Sequence, residues 1–326
     1  MKAKILAGEL VYEIISFAGS SEIEKIKKII KNILIALCDS YQLFEKNKQN
    51  EKNIKAFLKI CIDIENIEPD LFDIYFQDIF NLDNVIISNK NFKDQKIREM
   101  GFELIMSLIE DKPSFIYYSE NKDQILFKLF ELILNYALEF DKNIEINLDD
   151  SIYLDNNNSY NIDDYLEEEI LFSLSILERL FEAIKNETIN NIFKLIIQNY
   201  IQKSWKYQYV ILLSINIYSS YNEDMNFIQQ FLKPIFNFIF SNENKVRLAA
   251  IYCIKNFIRI YNPDFMKQNE TKILSIMNQL LKNENNLKCK LVIINCLKII
   301  IHYNVGNELN NYIENIFGLL MNMFGE

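Results

Sequence analysis

The chain has 326 residues, of which 50% are hydrophobic and 25% are charged, and its formal net charge is −10. This composition is typical of a globular protein and excludes a disordered chain. The chain has only 6 Gly and 4 Pro, the residues that favour the tight turns between strands. The negative charge, without a concentrated basic stretch, disfavours nucleic acid, because binding to phosphates depends mainly on cationic side chains. We therefore predict a helical protein whose partner is basic or is another protein.

No segment of the sequence has the pattern of a targeting or membrane-spanning element. Glu9 and Glu13 interrupt the apolar stretch near the N-terminus, so a signal peptide is not expected. The longest uncharged run, 207–222, contains polar side chains and is both too short and too polar to cross a bilayer. We expect a soluble intracellular protein without membrane insertion.

Apolar residues at helical spacing predict pairs of helices along the chain. We call the two members of each pair its first and its second helix. The clearest first helix begins near Lys245 and ends before Pro263, since proline stops a helix. Its apolar stripe consists of Val246, Ala249, Ala250, Cys253, Ile254, Phe257 and Ile258. We predict the second helices at 21–44, 71–80, 122–140, 188–201, 225–240 and 272–281. Pro234 lies inside the fifth of these and should kink it.

The prolines and arginines reveal a repeat. Pro69, Pro113 and Pro263 each follow an apolar-striped segment and precede an aromatic residue by two or three positions. Arg98 precedes Pro113, and Arg247 precedes Pro263, by nearly equal intervals. The repeat has a period of about 40 residues with two helices per unit, which is typical of HEAT and armadillo proteins.

One interval in this repeat is too long. The stretch from Arg98 to Gln208 exceeds two periods, and residues 141–169 account for most of the excess. This insertion contains ten Asp or Glu residues and one Lys, and so carries nearly all of the net charge. We predict one all-α, HEAT/armadillo-type α-solenoid of about six to seven helix pairs over 1–326, with a partial repeat at 1–20, the acidic insertion at 141–169 and a final incomplete repeat at 300–326. After the insertion, a helix with the apolar residues Ile170, Leu171, Leu174, Leu177 and Phe181 is expected.

The sequence lacks the residues of common catalytic and metal sites. The only histidine, His302, is expected near a helix end, so a two-histidine metal site or a serine–histidine triad cannot form. The five cysteines form no CxxC pair and are expected to be small buried residues. No phosphate-binding loop is present. We predict that the chain is not an enzyme and binds no cofactor or metal.

The acidic insertion and two aromatic residues downstream form the candidate partner-binding site. Clustered carboxylates attract Lys- and Arg-rich peptides, and Trp205 and Tyr207 could contact their cations through aromatic rings. Alternatively, Trp205 packs between repeats and the insertion is only solvated. The candidate residues are Asp149, Asp150, Asp155, Asp163, Asp164, Glu167, Glu168, Glu169, Trp205 and Tyr207.

Three segments resemble the importin-beta (karyopherin-beta) family in order and spacing. They are 204–208 (SWKYQ), 244–250 (NKVRLAA) and 262–265 (NPDF), which are similar to the family segments W-K-Y-R, R-V-R-Y-A-A and A-P-D-F. The branch they resemble most is importin subunit beta-3, in which an acidic insertion also occurs at the matching place. Gln208 departs from the pattern, since it replaces the arginine of W-K-Y-R.

The resemblance implies the cargo-binding middle of a nuclear import receptor that shuttles between cytoplasm and nucleus. Its partners would be basic cargo proteins with signals like those of ribosomal proteins or histones. Ran-GTP is a less expected partner, because the family's first repeats, which carry most of that contact, have no counterpart in this sequence. The alternative is a structural HEAT scaffold that joins other folded proteins in a multiprotein complex.

Overall fold

The computed structural model describes residues 1–17, 20–48, 50–140, 166–184, 186–303 and 309–325, and every regular element in them is a helix. A 3₁₀ helix spans Pro69–Tyr75. The α-helices are α1 Lys2–Ile15, α2 Ser20–Asn47, α3 Glu51–Glu65, α4 Phe76–Ser88, α5 Lys96–Asp111, α6 Ser114–Tyr117, α7 Lys122–Ala137, α8 Glu168–Ala183, α9 Asn186–Tyr200, α10 Trp205–Tyr221, α11 Met225–Gln229, α12 Leu232–Phe238, α13 Asn244–Tyr261, α14 Asp264–Asn283, α15 Leu287–Tyr303 and α16 Leu309–Gly325.

The chain divides into two compact units, each built from helix pairs. The first unit comprises Met1–Tyr136 and Ser175–Ile192, and the second comprises Ala137–Leu174 and Phe193–Glu326. First helices pack side by side, with α1 on α3 and α3 on α5 in one unit, and α10 on α13 and α13 on α15 in the other. This arrangement is an α-solenoid of the HEAT type, which confirms the predicted fold class.

Both ends of the chain contribute helices to this packing. Helix α1, within the predicted partial repeat 1–20, packs against α2 and α3. At the other end, α16 lies within the predicted incomplete repeat 300–326 and packs against α14. The division of 1–326 as a single domain stays a prediction, as does the assignment of 141–169 as an insertion, of which 141–165 lie outside the described residues.

A glycine lies at the contact between α1 and α3, the first helices of two neighbouring pairs. Gly8 of α1 faces Ile60 of α3, and a Cβ atom on Gly8 would lie 2.9 Å from Ile60 Cδ1. A side chain at residue 8 would require the end of the Ile60 side chain to shift.

Helix α13 is buried on more than one side. All seven residues of its predicted apolar stripe have 0% exposure, so the stripe is confirmed. Leu248, Ile251 and Tyr252 lie outside the stripe and are also buried. The reason is that α13 lies between α10 and α15, and so needs apolar residues on both flanks.

Hydrogen bonds between neighbouring first helices show the repeat period directly. The Cys253 thiol donates to the Leu212 carbonyl at 3.1 Å, and the residues are 41 positions apart. The Tyr261 hydroxyl donates to the Ser219 carbonyl, 42 positions away, at 2.8 Å. These separations confirm the predicted repeat period.

Two predictions within the helices are wrong. Pro234 does not kink one long helix: α11 ends at Gln229 and α12 starts at Leu232. The break places Pro234 in the first turn of α12, where a residue donates no backbone hydrogen bond within its helix. Further inside a helix, a proline would disrupt the turn before it. Leu171, predicted for the buried stripe of α8, is 36% exposed, whereas Ile170 is buried.

The cysteines behave as core residues. All five are free, and Cys61, Cys253, Cys289 and Cys296 are buried, while Cys38 is half-buried. Burial raises the pKa of each thiol, to about 12 for Cys289 and Cys296. The thiols are therefore protonated and unreactive at neutral pH, as expected for small apolar residues.

The first unit also buries a carboxyl group. Glu65, the last residue of α3, has no exposed surface, and burial together with Asp111 raises its pKa to about 8. The nearby Arg179 opposes this rise, but its guanidinium binds Glu110 bidentately at 2.7 Å and Glu103 at 2.6 Å. Glu65 is therefore mostly protonated at neutral pH.

We predict that Glu65→Gln flattens the pH dependence of stability. The folded pKa lies above the ordinary glutamate value of about 4.3, so folding takes up a proton in the pH range between the two values. The free energy of unfolding of the wild type therefore falls as pH rises through this range, by up to about 1.4 kcal/mol per pH unit. Urea unfolding of both proteins between about pH 5 and pH 8 measures the slope, and equal slopes would contradict the prediction.

Candidate partner-binding site

The structure describes only part of the predicted site. Asp149, Asp150, Asp155, Asp163 and Asp164 lie outside the described residues. Of the others, Glu167 immediately precedes α8, Glu168 and Glu169 form its first turn, and Trp205 and Tyr207 form the first turn of α10.

Phe140, the last residue before the insertion, is held by the start of α10. The Lys206 Nζ atom donates to the Phe140 carbonyl at 2.6 Å and lies 4.0 Å from the centre of its ring. Trp205 packs edge-on against the same ring, with 6.0 Å between ring centres. Phe140, immediately before residue 141, is therefore fixed by two consecutive residues of α10.

Glu167 and Lys245 fix the other end. The Lys245 ammonium group forms a close ion pair with Glu167, and both side chains are nearly buried, at 12% and 6% exposure. Lys245 also lies over the Phe140 ring at 5.1 Å, so that one lysine contacts a residue on each side of 141–165. Glu167 thus stabilises the base of the insertion, whereas Glu168 is exposed to solvent.

The aromatic side chains already contact cations of the same chain. Tyr207 stacks on Tyr200 with 5.5 Å between ring centres, and Lys203 Nζ lies 3.9 Å from the Tyr200 ring and 5.1 Å from the Tyr207 ring. The two rings can therefore accept a cation, because the face of an aromatic ring attracts positive charge. An incoming lysine or arginine would compete with Lys203 for this position.

Sequence reasoning missed Phe140, Lys206 and Lys245. The two lysines belong to segments that served only as repeat markers, and their partners are distant in sequence. One signal was available: Lys206 and Lys245 lie one repeat period apart, at the starts of two consecutive first helices, downstream of an acidic segment.

The arginine used as a repeat marker is structural. Arg247 of α13 binds Glu284, the residue after α14, through two hydrogen bonds of 2.8 and 2.9 Å, and donates to the Ser241 carbonyl at 2.8 Å. Burial would raise the pKa of Glu284, but the bonds from Arg247 outweigh it and hold that pKa below its ordinary value. At the matching place of α10, the side-chain amide of Gln208 donates to the Lys203 carbonyl at 3.4 Å.

The described part of the chain contains no group of His, Cys, Asp and Glu side chains suited to a metal ion. Within that part, no helix is long and apolar enough to span a membrane. His302 lies in the last turn of α15, where the sequence predicts it.

The fold matches that of solved karyopherin structures. No protein-family model and no curated protein matches the chain. Kap121p bound to RanGTP matches with a TM-score of 0.77 and 17% identity over 97% of this chain. Kap121p bound to the extreme C-terminus of the protein phosphatase Cdc14p, and Kap121p bound to Nup53p, each match with a TM-score of 0.79 and 16% identity over 99% of this chain. The chain spans 30% of each of these proteins, and the likeness concerns the fold.

We predict that Lys245→Met destabilises the second unit by about 3–5 kcal/mol, because it leaves the Glu167 carboxylate buried without its cation. Thermal or urea unfolding measures the loss. The double variant Lys245→Met/Glu167→Gln should recover most of it, since no uncompensated charge remains. If the double variant is as unstable as the single one, the ion pair is not the cause.

Proposed function

We propose that this chain is a non-enzymatic protein-binding solenoid of the karyopherin type, which binds basic nuclear-localisation signals of cargo proteins. The proposal is carried by the acidic composition of 141–169, together with the contacts that hold Phe140 against Trp205 and Lys206 of α10 and Glu167 against Lys245 of α13. The fold shared with Kap121p, solved with the extreme C-terminus of Cdc14p and with Nup53p, supports a binding rather than a catalytic activity.

Electrostatic attraction would bring the signal to the insertion. Ten carboxylates within 141–169 concentrate negative charge, and one of them, Glu167, is neutralised by Lys245. The other nine carboxylates raise the local concentration of a Lys- or Arg-rich peptide. This attraction is screened by salt beyond ~8 Å, the Debye length at physiological ionic strength. Because single exposed ion pairs contribute at most about 1 kcal/mol, several must act together.

The aromatic residues of α10 would add short-range contacts. A cation of the signal that displaces Lys203 from Tyr207 keeps the ring–cation contact and releases Lys203 to solvent. Trp205 has one edge against Phe140 and is only half-buried, so part of its indole surface is accessible to the peptide.

We further propose that the chain belongs to the importin-beta family, to its importin subunit beta-3 branch, and that it shuttles between cytoplasm and nucleus. Its cargo would carry signals like those of ribosomal proteins or histones. One matched Kap121p structure contains RanGTP, but this chain spans only 30% of that protein, so Ran-GTP is not part of the proposal.

We predict that replacing residues 141–165 with a Gly/Ser linker of equal length weakens binding of a fluorescent basic signal peptide by about tenfold or more, or about 1.4 kcal/mol. The replacement retains Phe140 and Leu166 to Glu169, so the Lys206 and Lys245 contacts remain. Fluorescence anisotropy at low and physiological salt measures affinity. The wild type should lose affinity as salt rises, and the linker variant should lose less.

A matched control separates charge from sequence. Asp149, Asp150, Asp163 and Asp164 replaced together by Asn keep the length and most of the polarity, and should reproduce much of the effect. An unchanged affinity in the linker variant would refute the function of the insertion. A pull-down with basic cargo, with and without Ran-GTP, then distinguishes the structural scaffold: release by Ran-GTP favours transport, and no cargo binding at all favours the scaffold.

A further inference from the structure

A cleft in the second unit lies between two consecutive loops of the solenoid. One loop joins α12 to α13, and the other joins α14 to α15. The cleft has a volume of about 590 Å³. None of the candidate partner-binding residues lines it, so the proposed function leaves it without a role.

The two charged side chains among the described lining residues neutralise each other. Arg247 and Glu284 form a bidentate ion pair, and their side chains are only 15% and 4% exposed. The other three N–H groups of the guanidinium donate to the carbonyls of Ser241 and Asn242 and to the side-chain oxygen of Asn244. Because a guanidinium has five N–H donors, none is left for an anion. The cleft therefore suits an uncharged ligand.

The same bonds hold both walls of the cleft in place. Arg247 binds the carbonyls of Ser241 and Asn242 in one loop and the carboxylate of Glu284 in the other. Glu284 in turn accepts a hydrogen bond from the backbone of Asn286 at 2.8 Å. A ligand meets two loops whose relative position is already fixed, so that binding loses little conformational entropy.

Carboxamide side chains of the cleft are available to such a ligand. Asn242, Gln279, Asn283 and Asn285 are exposed, and within the described part of the chain their side chains form no hydrogen bond. Each carboxamide has an acceptor oxygen and a donor nitrogen on the same carbon atom. A peptide group presents the complementary C=O and N–H. The main chain of an extended peptide is therefore a neutral ligand that these side chains match.

The asparagines recur with the period of the repeat. The sequence Asn-Glu-Asn occurs at 242–244 and again at 283–285, which is 41 positions later. Cys253 and Leu212, which join two packed first helices, have the same separation. Matching asparagines thus lie on consecutive helix pairs, and packed helices are about 8–10 Å apart. An extended chain advances about 3.3 Å per residue, so about three residues of a peptide lead from one loop to the next.

An aromatic ring at the cleft indicates an apolar side chain in the peptide. Phe240 is 46% exposed there, whereas Ile239 and Leu280 line the cleft but are almost fully buried. An apolar side chain placed against Phe240 would remove both surfaces from water, which is favourable by about 25 cal/mol for each Å².

We propose that this cleft binds an extended, uncharged peptide segment of a partner protein. The main chain of the segment bonds to Asn242 and Asn283, and one of its apolar side chains packs against Phe240. The site shares no residue with the acidic insertion and is independent of basic signals. Because no net charge is involved, the affinity should not change with salt concentration, unlike that for a basic peptide.

NMR titration of the ¹⁵N-labelled full chain tests the proposal. The probe is the hexapeptide acetyl-Ser-Thr-Leu-Thr-Ser-Ser-amide, which has no charge. The side-chain amide signals of Asn242 and Asn283, assigned by their loss in alanine variants, should shift until the site is saturated. A matched probe has methyl groups on the main-chain nitrogens around the leucine, so it keeps the side chains but lacks those donors. It should bind about tenfold more weakly.

Variants of the cleft give a second measurement. Asn242→Ala and Asn283→Ala should each weaken binding of the first probe about fivefold, as expected for the loss of a hydrogen bond. Phe240→Ala should remove the advantage of leucine over serine at the same position of the probe. Asn237→Ala, at an exposed residue of α12 outside the cleft, is the matched control and should bind like the wild type.

The outcomes distinguish this site from the acidic insertion. The variant with a Gly/Ser linker in place of 141–165 should bind the uncharged probe as tightly as the wild type, so either proposal can fail without the other. Equal binding of the two probes to the wild type, or shifts that do not involve the cleft, would overturn the peptide site. Shifts at the cleft with maltotriose but not with the hexapeptide would overturn it in favour of a neutral sugar. Circular dichroism checks that the variants are folded, and the comparison of the two probes needs no variant.

Discussion

The structure depends on the burial of apolar stripes between neighbouring helices. A helix such as α13 cannot be stable alone with apolar residues on both flanks, and it becomes buried only because α10 and α15 lie on either side. The repeat period follows from this requirement, since each pair must present the same faces to the next pair. The period also limits where extra residues can enter the chain: they must lie between helices and leave the buried faces unchanged.

Much of this fold could be predicted from the sequence because helical periodicity is a local property. The stripe of α13 was correct at every position, and the prolines marked the boundaries between helices. What periodicity could not give were the features set by neighbours: the second buried flank of α13 at Leu248 and Ile251, and the exposed position of Leu171. The break before Pro234 depends on which turn of the helix contains the proline, which a stripe alone does not determine.

The candidate site was harder to predict, since its contacts join distant residues. The composition of 141–169 shows the negative charge, but Glu167 and Lys245 are 78 positions apart and nothing local relates them. Similarly, the sequence shows that Trp205 and Tyr207 begin a helix, but not that Phe140 and Lys203 lie against them. Within the described part of this negative segment, Glu167 is therefore a carboxylate that stabilises the fold.

The contacts of Lys245 with both Phe140 and Glu167 also affect how this protein can change during evolution. Since Phe140 and Glu167 are joined through this one side chain, residues 141–165 are not needed to hold them together. The entropy of closing a loop between fixed points grows slowly, at about 0.6 kcal/mol for each doubling of its length. We therefore expect that residues can be added, lost or exchanged in this segment at little cost to the folded state, while the helices around it remain the same.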